Sequence, residues 1–177
     1  MNTPLLSCLA AVFLALVAGC TTYSPRIPGH YEDQHISFNF PEHWKITLRE
    51  VNERTRSLIL EPPHQGLVFI KGYPASTAPS LREFAREFSR AAASQTQGAS
   101  LSTNSLREVE DGSLEERFDL KIKNTTVPHL RRYYRREGAN AVYFIVTHVP
   151  VEDLESTRSG FVGIARDFRV KPTAGSN

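Results

Sequence analysis

The apolar run near the N-terminus constrains this chain more than any other feature of its sequence. The run extends from Leu5 to Ala18 and is interrupted only by Ser7 and Cys8. As a helix it would cover roughly 21 Å, at 1.5 Å per residue, whereas the hydrocarbon core of a bilayer is about 30 Å thick. Such a length is typical of the apolar core of an export signal. We therefore expect residues 1–19 to be a signal peptide that is removed from the mature protein.

The residues that end this run resemble a bacterial lipobox, with the sequence Leu16-Val17-Ala18-Gly19-Cys20. The motif implies cleavage between Gly19 and Cys20 and acylation of Cys20 at its sulfur and its new amine. Two features depart from the pattern: Val17 stands where Ala or Ser is commoner, and no Lys or Arg precedes the apolar run. An uncleaved anchor or an ordinary secretory signal are the alternatives. A single acyl chain binds a bilayer only marginally, so the three chains of a lipoprotein would attach Cys20 stably.

This resemblance also indicates where the protein resides. Thr21 follows the predicted lipidated cysteine, and in enterobacterial lipoproteins the lack of Asp at that position favours the outer membrane. We expect a lipid-anchored protein of the bacterial cell envelope, on the outer membrane and facing the periplasm. Cys8 leaves with the signal and Cys20 is acylated, and the chain has only these two cysteines. A thiol nucleophile, a disulfide and a cysteine-ligated metal site are therefore excluded from the folded part.

The remaining sequence is typical of one globular domain. Hydrophobic residues make up 40% and charged residues 23% of the chain, which is globular composition. The formal net charge is only +2, which gives no bulk electrostatic attraction to nucleic acid. We expect a lipidated cysteine and tether over residues 20–30, a domain over residues 31–170 and a flexible tail over residues 171–177. Pro25 and Pro28 favour an extended tether.

Alternation of apolar and polar residues predicts most of the domain to be β-strand. The clearest example is Arg117 to Lys123, in which Phe118, Leu120 and Ile122 alternate with charged residues. Asp111-Gly112 is a typical hairpin turn. The other predicted strands are residues 36–40, 44–49, 57–61, 67–73, 100–109, 129–136 and 141–149.

Two segments have helical spacing instead. Ser80-Leu81-Arg82-Glu83 is a capping box, in which the Ser and Glu side chains satisfy free backbone N–H groups at a helix start. The apolar face of this predicted helix consists of Leu81, Phe84, Ala85, Phe88 and Ala92. A second helix is expected after Pro150, although Gly160 and Gly163 each weaken it by about 1 kcal/mol relative to Ala.

The domain resembles the PsbP-like and DcrB-like families. The segment from Ile36 to Ile46 (ISFNFPEHWKI) is similar to their entry motif of an aromatic strand, a proline and a tryptophan. The segment from Gly163 to Val170 is similar to their closing helix, with Asp167 in the place of a Ser. The resemblance covers most of residues 31–170. It implies an α+β fold, a single domain with a central antiparallel sheet of about six or seven strands and helices packed on its faces. These families include photosystem accessory proteins, bacterial envelope lipoproteins and secretion chaperones, which mostly bind or assist other molecules.

A run of arginines and tyrosines is the most prominent candidate for a functional site. Guanidinium groups match carboxylates and phosphates, and tyrosine adds a flat ring and a hydroxyl. One interpretation is a contact surface for an anionic group, such as a lipid head group or a lipopolysaccharide phosphate, or for an acidic partner protein. The alternative interpretation is an exposed strand edge protected by charge, with one Tyr packed under the neighbouring helix. The predicted contact residues are Arg131, Arg132, Tyr133, Arg135 and Arg136. A second, weaker candidate is the row Arg82, Arg86 and Arg90 on the first predicted helix.

The sequence offers little for catalysis or metal binding. We find no Gly-x-Ser-x-Gly elbow, no Ser-x-x-Lys, no His-Glu-x-x-His and no glycine-rich phosphate loop. We expect solvation to explain the carboxylates that flank the predicted hairpin turn, Glu108, Glu110 and Asp111, and the similarly placed Glu115 and Glu116. We therefore predict no catalytic residue, no metal and no cofactor. The histidines, which we expect to be solvated or packed, are His30, His35, His43, His64, His129 and His148.

The function predicted from these observations is non-catalytic binding or assembly of another envelope component, most simply a protein. Three alternatives remain. The first is an immunity or inhibitor lipoprotein against a periplasmic toxin, and the second is an unrecognised hydrolase of the cell envelope. The third is a carrier with a dry cavity among the aromatic residues, although these residues more often form the core itself. The aromatic residues are Trp44, Phe38, Phe40, Phe69, Phe84, Phe88, Phe118, Phe144, Phe161 and Phe168.

Overall fold

The computed structural model describes residues 29–51, 55–95, 99–103 and 106–172. The predicted signal peptide, Cys20 and most of the tether lie outside these residues, as do residues 173–177 of the tail. The helices are α1 (Leu81–Gln95) and α2 (Leu154–Asp167), and short 3-10 turns occupy Ala75–Thr77 and Val151–Asp153. The strands are β1 (Gly29–Glu32), β2 (Ile36–Phe40), β3 (Lys45–Val51), β4 (Arg56–Glu61), β5 (Leu67–Pro74), β6 (Ala99–Thr103), β7 (Arg107–Glu108), β8 (Leu114–Ile122), β9 (Thr125–Glu137), β10 (Ala141–Pro150) and β11 (Arg169–Val170).

A large antiparallel sheet forms the centre of the molecule. Its strand order is β3-β4-β5-β10-β9-β8-β6, and β7 also pairs with β8. The long strands β9 and β10 form a hairpin in the middle of the sheet, with Val142 opposite Glu137 next to the turn. A smaller sheet has the order β1-β2-β11. The predicted α+β fold with a central antiparallel sheet is confirmed.

Helix α1 covers one face of the large sheet. The capping box forms as predicted: the Ser80 backbone N–H donates to Glu83 Oε2 at 2.9 Å, and the Glu83 N–H donates to Ser80 Oγ at 3.2 Å. The buried residues on this side form one apolar cluster, in which Phe84 of α1 stacks on Phe144 of β10 with ring centroids 4.1 Å apart. The apolar face predicted for this helix is thus the face that contacts the sheet.

Helix α2 and the small sheet cover the opposite face. Trp44 contacts Phe161 of α2 edge to face, with ring centroids 5.2 Å apart. Gly160 leaves room for this contact, since a Cβ atom there would lie 2.5 Å from the Trp44 ring. Beyond the C-terminal end of α2, the Phe168 ring stacks on Phe38 of β2. The aromatic residues quoted for the family resemblance therefore pack together in one core.

The ends of the folded part differ slightly from the predicted boundaries. Gly29 and His30, assigned from the sequence to the tether, belong to β1 and pair with Phe40 and Asn39. Lys171, assigned to the tail, donates its backbone N–H to His35 O at 2.7 Å and forms an ion pair through Nζ with Glu32. Antiparallel pairing extends the fold by these residues, and the apolar alternation did not include them. Within the described residues, no helix has both the length and the apolar character required to cross a membrane.

Candidate functional site

The strand that carries the arginine and tyrosine run is an interior strand of the sheet. β9 pairs with β8 on one side and with β10 on the other. The interpretation of this run as an exposed edge is therefore wrong, although one tyrosine, Tyr133, does pack under helix α1. Because side chains alternate across a strand, the run divides between the two faces. Arg131, Tyr133 and Arg135 lie on the α1 face, and Arg132 and Arg136 lie on the α2 face.

Two of the predicted contact residues lie on the α1 face, where a partner cannot reach them. Arg131 is 3% exposed and Tyr133 is fully buried. The Tyr133 hydroxyl donates to Glu116 Oε2 at 2.6 Å, and Ser89 Oγ of α1 donates to the same oxygen at 2.6 Å. Arg131 Nη1 lies 3.5 Å from Glu116 Oε2, and its guanidinium lies 4.1 Å from the centroid of the Phe118 ring. These side chains form an internal polar network, so their predicted role in a surface contact is corrected.

Burial also changes the acid–base properties of this face. Burial, followed by the Glu116 charge and hydrogen bond, raises the pKa of Tyr133 far above its usual range. Burial, the charge of Arg131 and the nearby His129 together lower the pKa of His148 to about 3. His148 and His129 lie with ring centroids 5.0 Å apart beside Phe118. Both rings are therefore neutral at pH 7, because burial also lowers the pKa of His129.

The last two predicted contact residues, Arg135 and Arg136, form contacts within the protein. Arg136 Nη2 donates to the Ala165 carbonyl at 2.9 Å, near the C-terminal end of α2. A cation at that position satisfies a free helical carbonyl and opposes the negative end of the helix dipole. Arg135 forms an ion pair with Glu137. Of the five predicted contact residues, Arg132 alone lines the open groove on the α2 face.

That groove lies between α2 and the end of the large sheet formed by β7, β8 and β9. It has a volume of about 240 Å³. Its floor comes from strands β7, β8, β9 and β10, and its wall comes from one side of α2. The lining residues are Arg107, Glu115, Arg117, Leu130, Arg132, Tyr134, Thr147, Val149, Leu154, Arg158, Phe161 and Val162.

Three arginines converge on one carboxylate in the floor of this groove. Glu115 is 5% exposed, and it accepts from Arg107 Nη2 at 2.8 Å, from Arg132 Nη2 at 3.2 Å and from Arg117 Nε at 3.4 Å. Burial alone would raise the pKa of Glu115, but the hydrogen bonds from Arg132, Arg107 and Arg117 outweigh burial and lower it. The expectation that solvation explains Glu115 and Glu116 is wrong, since the sheet buries both.

A fourth arginine and an apolar strip complete the groove. Arg158 of α2 lies on the wall and forms an exposed ion pair with Glu155 at 3.3 Å. Val162, one turn further along α2, is 46% exposed. Sequence reasoning missed Arg107, Arg117 and Arg158, because they are distant in sequence from the arginine run. The groove can hold an anion at its arginines and an apolar group beside it.

The second predicted arginine row lies on α1, on the other side of the sheet. Arg82, Arg86 and Arg90 are exposed. Arg82 Nη2 lies 4.0 Å from Glu108 Oε2, an ion pair in which both partners are solvated. Pairs of this kind contribute little to stability. The row faces solvent, as expected for a polar helix surface.

The histidines are exposed or packed, and the aromatic residues belong to the protein core. His30 contacts Asn39 Oδ1 at 2.8 Å and Glu32 Oε2 at 3.1 Å on the surface of the small sheet. In the part of the chain that the structure describes, no group of three or more His, Cys, Asp or Glu residues is placed to hold a metal ion. The aromatic residues, Trp44 included, pack in the cores on the two faces of the large sheet, except that the buried Phe118 packs against His129 and His148. Their expected role in the core is confirmed.

Comparison with known proteins identifies the fold. No family model and no curated protein sequence matches the chain. The chain is similar to the solution structure of cyanobacterial PsbP (CyanoP) from Synechocystis sp. PCC 6803, with a TM-score of 0.52 and 12% identity over 88% of this chain and 99% of that one.

Two further solved structures are more distant. LpqN, described as involved in cell envelope biogenesis of Mycobacterium tuberculosis, matches with a TM-score of 0.41 and 12% identity over 82% of this chain and 90% of LpqN. A point mutant of the protein Mog1 matches with a TM-score of 0.46 and 14% identity over 84% of this chain and 98% of Mog1. The match to CyanoP supports the resemblance seen in the sequence, and the chain has a PsbP-like α+β fold.

Proposed function

We propose that this protein is a lipid-anchored protein of the bacterial cell envelope that binds another envelope component without catalysing a reaction. The groove beside α2 is the contact site. The lipobox-like sequence that ends at Cys20 supports the anchor and the location on the outer membrane, facing the periplasm. The PsbP-like fold supports a binding role, since the families that the sequence resembles mostly bind or assist other molecules.

The observation that carries this proposal is the convergence of Arg107, Arg117 and Arg132 on Glu115 in an open groove. Three cations share one carboxylate, so the floor keeps an excess of positive charge that is available to an anionic group. Most other charged side chains of β9 form contacts within the protein, such as Arg131 with Glu116 and Arg136 with the Ala165 carbonyl. A site rich in guanidinium donors favours recognition of carboxylate or phosphate.

The proposed anchor would keep this groove close to the membrane. Nine peptide units separate Cys20 from Gly29, where β1 begins. A fully extended chain of that length spans at most about 30 Å. The groove would therefore meet molecules at or near the membrane surface, which fits a component of the envelope as the binding partner.

Site-specific photocrosslinking in intact envelopes tests the proposal. A photoreactive amino acid replaces Val162 in the wall of the groove, where the side chain is 46% exposed, or Ile122 at the end of β8 outside the groove, where it is 48% exposed. The two positions offer the reagent similar access to solvent. We expect a discrete adduct, with a protein or a lipid, from position 162 and none from position 122.

The charge of the groove provides the second arm of this experiment. Arg132→Glu in the same chain should abolish the adduct at position 162, because it replaces a cation of the floor with an anion. The matched control is Arg86→Glu on α1, which should leave the adduct unchanged. Adducts of the same kind from positions 162 and 122, or an adduct that is insensitive to Arg132→Glu, would contradict the groove as the contact site.

A further inference from the structure

We infer that the ligand of the α2 groove is an anionic amphiphile, with a carboxylate or phosphate head group at the arginines and an apolar chain along the wall. This inference rests on the proposed function and names the chemical class of the molecule bound. Two properties of the groove lead to it: an excess of guanidinium donors at its floor, and apolar side chains directly beside them. The head group and the chain occupy different parts of the same groove.

The head group has free donors available in the floor. Each guanidinium carries five N–H donors, whereas Arg107 and Arg117 each use one in the contact with Glu115. The Nε atom of Arg132 is buried and has no hydrogen-bond partner within the described structure. An anion in the groove would instead bind guanidinium donors that do not contact Glu115.

Glu115 holds these donors in place before any ligand arrives. Guanidinium groups of like charge repel one another, and the shared carboxylate offsets that repulsion at 2.8 to 3.4 Å. Glu115 is 5% exposed, so the neighbouring strands fix its position. A preorganised cluster loses less conformational entropy on binding than separate flexible side chains. Glu115 is therefore a positioning residue for the head group.

The wall supplies the apolar half of the site. Leu154 and Val162 supply its exposed apolar surface from α2, and the buried core residues Phe161, Leu130 and Val149 lie behind them. Val162 leaves 46% of its side chain exposed at the rim. An acyl chain that covers this surface would remove apolar groups from water, and an inorganic anion would not gain that stabilisation.

The dimensions of the groove favour an amphiphile over the surface of an acidic protein. Its volume is about 240 Å³, which is below the roughly 300 Å³ at the lower end of common small-molecule sites. This volume accommodates a head group and the first part of a chain. A stable protein partner usually covers about 800 Å² on each side of an interface, and a narrow concave groove offers no such surface. The rest of a longer chain would leave over the rim at Val162.

Photolabelling of the intact protein tests this inference. The protein, isolated from bacterial membranes and reconstituted in neutral phosphatidylcholine vesicles, is exposed to dodecyl phosphate that carries a diazirine in its chain. Mass spectrometry then maps the labelled residues. We expect label on the α2 segment that contains Phe161 and Val162. Excess unlabelled dodecyl phosphate or dodecanoate should suppress it, and the stronger of the two competitors identifies the preferred head group.

Matched competitors and variants decide the outcome. Inorganic phosphate, neutral monolauroylglycerol and a poly-glutamate peptide should each leave most of the label in place, because each lacks one half of the proposed ligand. Arg132→Gln should lower labelling about tenfold through the loss of a charge-assisted hydrogen bond. Val162→Glu should lower it similarly, and the exposure of Val162 makes that variant compatible with folding. Arg86→Gln on α1 is the control and should change nothing.

Several results would overturn the inference that the ligand is an anionic amphiphile. They are label spread over the whole surface, suppression by the neutral lipid or by poly-glutamate alone, and full labelling of both groove variants with unchanged melting temperature. If the amphiphile does not label the groove and position 162 also gives no discrete adduct in envelopes, the proposed function is contradicted as well. Adducts in envelopes together with absent amphiphile labelling would overturn this inference and leave the proposed function standing.

Discussion

Arg132 of β9 lies directly opposite Glu115 of β8 in the antiparallel register, with Arg132 Nη2 3.2 Å from Glu115 Oε2. The next pair in the same register is Arg131 with Glu116. Because side chains alternate across a strand, the two neighbouring pairs point to opposite faces of one sheet. The pair of Arg131 and Glu116 is buried under α1, whereas the pair of Arg132 and Glu115 lies in the groove beside α2. Two adjacent Glu–Arg pairs thus have different roles.

The carboxylate of Glu115 should contribute measurably to stability. Glu115→Gln removes the charge that three arginines share, and we expect a loss of about 1 to 2 kcal/mol in the free energy of unfolding. The loss is smaller than the 3–5 kcal/mol seen for fully buried pairs, because Arg107 and Arg117 are largely solvated. Urea denaturation at pH 7 measures it. The control is Glu108→Gln, in an exposed pair, which should change stability by less than about 0.5 kcal/mol.

Two glycines of α2 should respond in opposite directions to the same substitution. A Cβ at Gly160 would lie 2.5 Å from the Trp44 ring and 2.9 Å from Pro41, whereas a Cβ at Gly163 would have nothing within 4 Å. Overpacking a core costs about 1–3 kcal/mol, so Gly160→Ala should lower stability despite the better helix propensity of Ala. Gly163→Ala should raise it by up to about 1 kcal/mol.

Thermal and urea unfolding of these two variants test the packing of α2 on the sheet. Near-ultraviolet circular dichroism adds a direct readout of Trp44, whose signal should change in Gly160→Ala and stay constant in Gly163→Ala. Equal effects of the two substitutions on stability would contradict the position assigned to α2.

The buried histidines should make the protein sensitive to mild acid. Burial lowers the pKa of His148 to about 3, from an ordinary value of 6.5. Between these two values the unfolded chain binds a proton that folded His148 does not. Its contribution to stability is therefore complete above pH 6.5 and is lost progressively as the pH falls toward 3, by up to about 1.4 kcal/mol per pH unit.

The variant His148→Gln isolates this effect. Its free energy of unfolding, measured in urea at several values between pH 7 and pH 4.5, should fall less steeply than that of the wild type. Other groups, such as His129, titrate in both proteins, so the difference between the two curves reports on His148. Parallel curves would show that His148 is as readily protonated in the folded protein as in the unfolded chain.

The lipid anchor has its own test. Cys20→Ala removes the sulfur that receives the acyl chains, and we expect an unprocessed precursor without incorporated palmitate. Cys8→Ala is the matched control, since this residue lies inside the predicted signal peptide, and it should be labelled and processed normally. Metabolic labelling with palmitate and gel mobility check both variants. Full labelling of Cys20→Ala would refute the lipobox.

Local sequence patterns were sufficient to predict most of the secondary structure. Ser80 and Glu83 predicted the start of α1, and the strict alternation from Arg117 to Lys123 predicted β8. The Asp111-Gly112 turn forms as expected, with Gly112 at a φ of 73° and its N–H donating to Val109 O. These features depend on residues within a few positions of one another, so the sequence alone contains the information that they require.

The location of the site depends on contacts between distant parts of the chain. Alternation along the predicted strand over residues 129–136 puts Arg131 and Arg132 on opposite faces, but the pairing of β9 with β8 and β10 placed one in the interior and the other in a groove. Arg107 and Arg158 join that groove from β7 and from α2. Strand register and helix docking are set by packing over the whole core, so only the tertiary structure brings these arginines together in one groove.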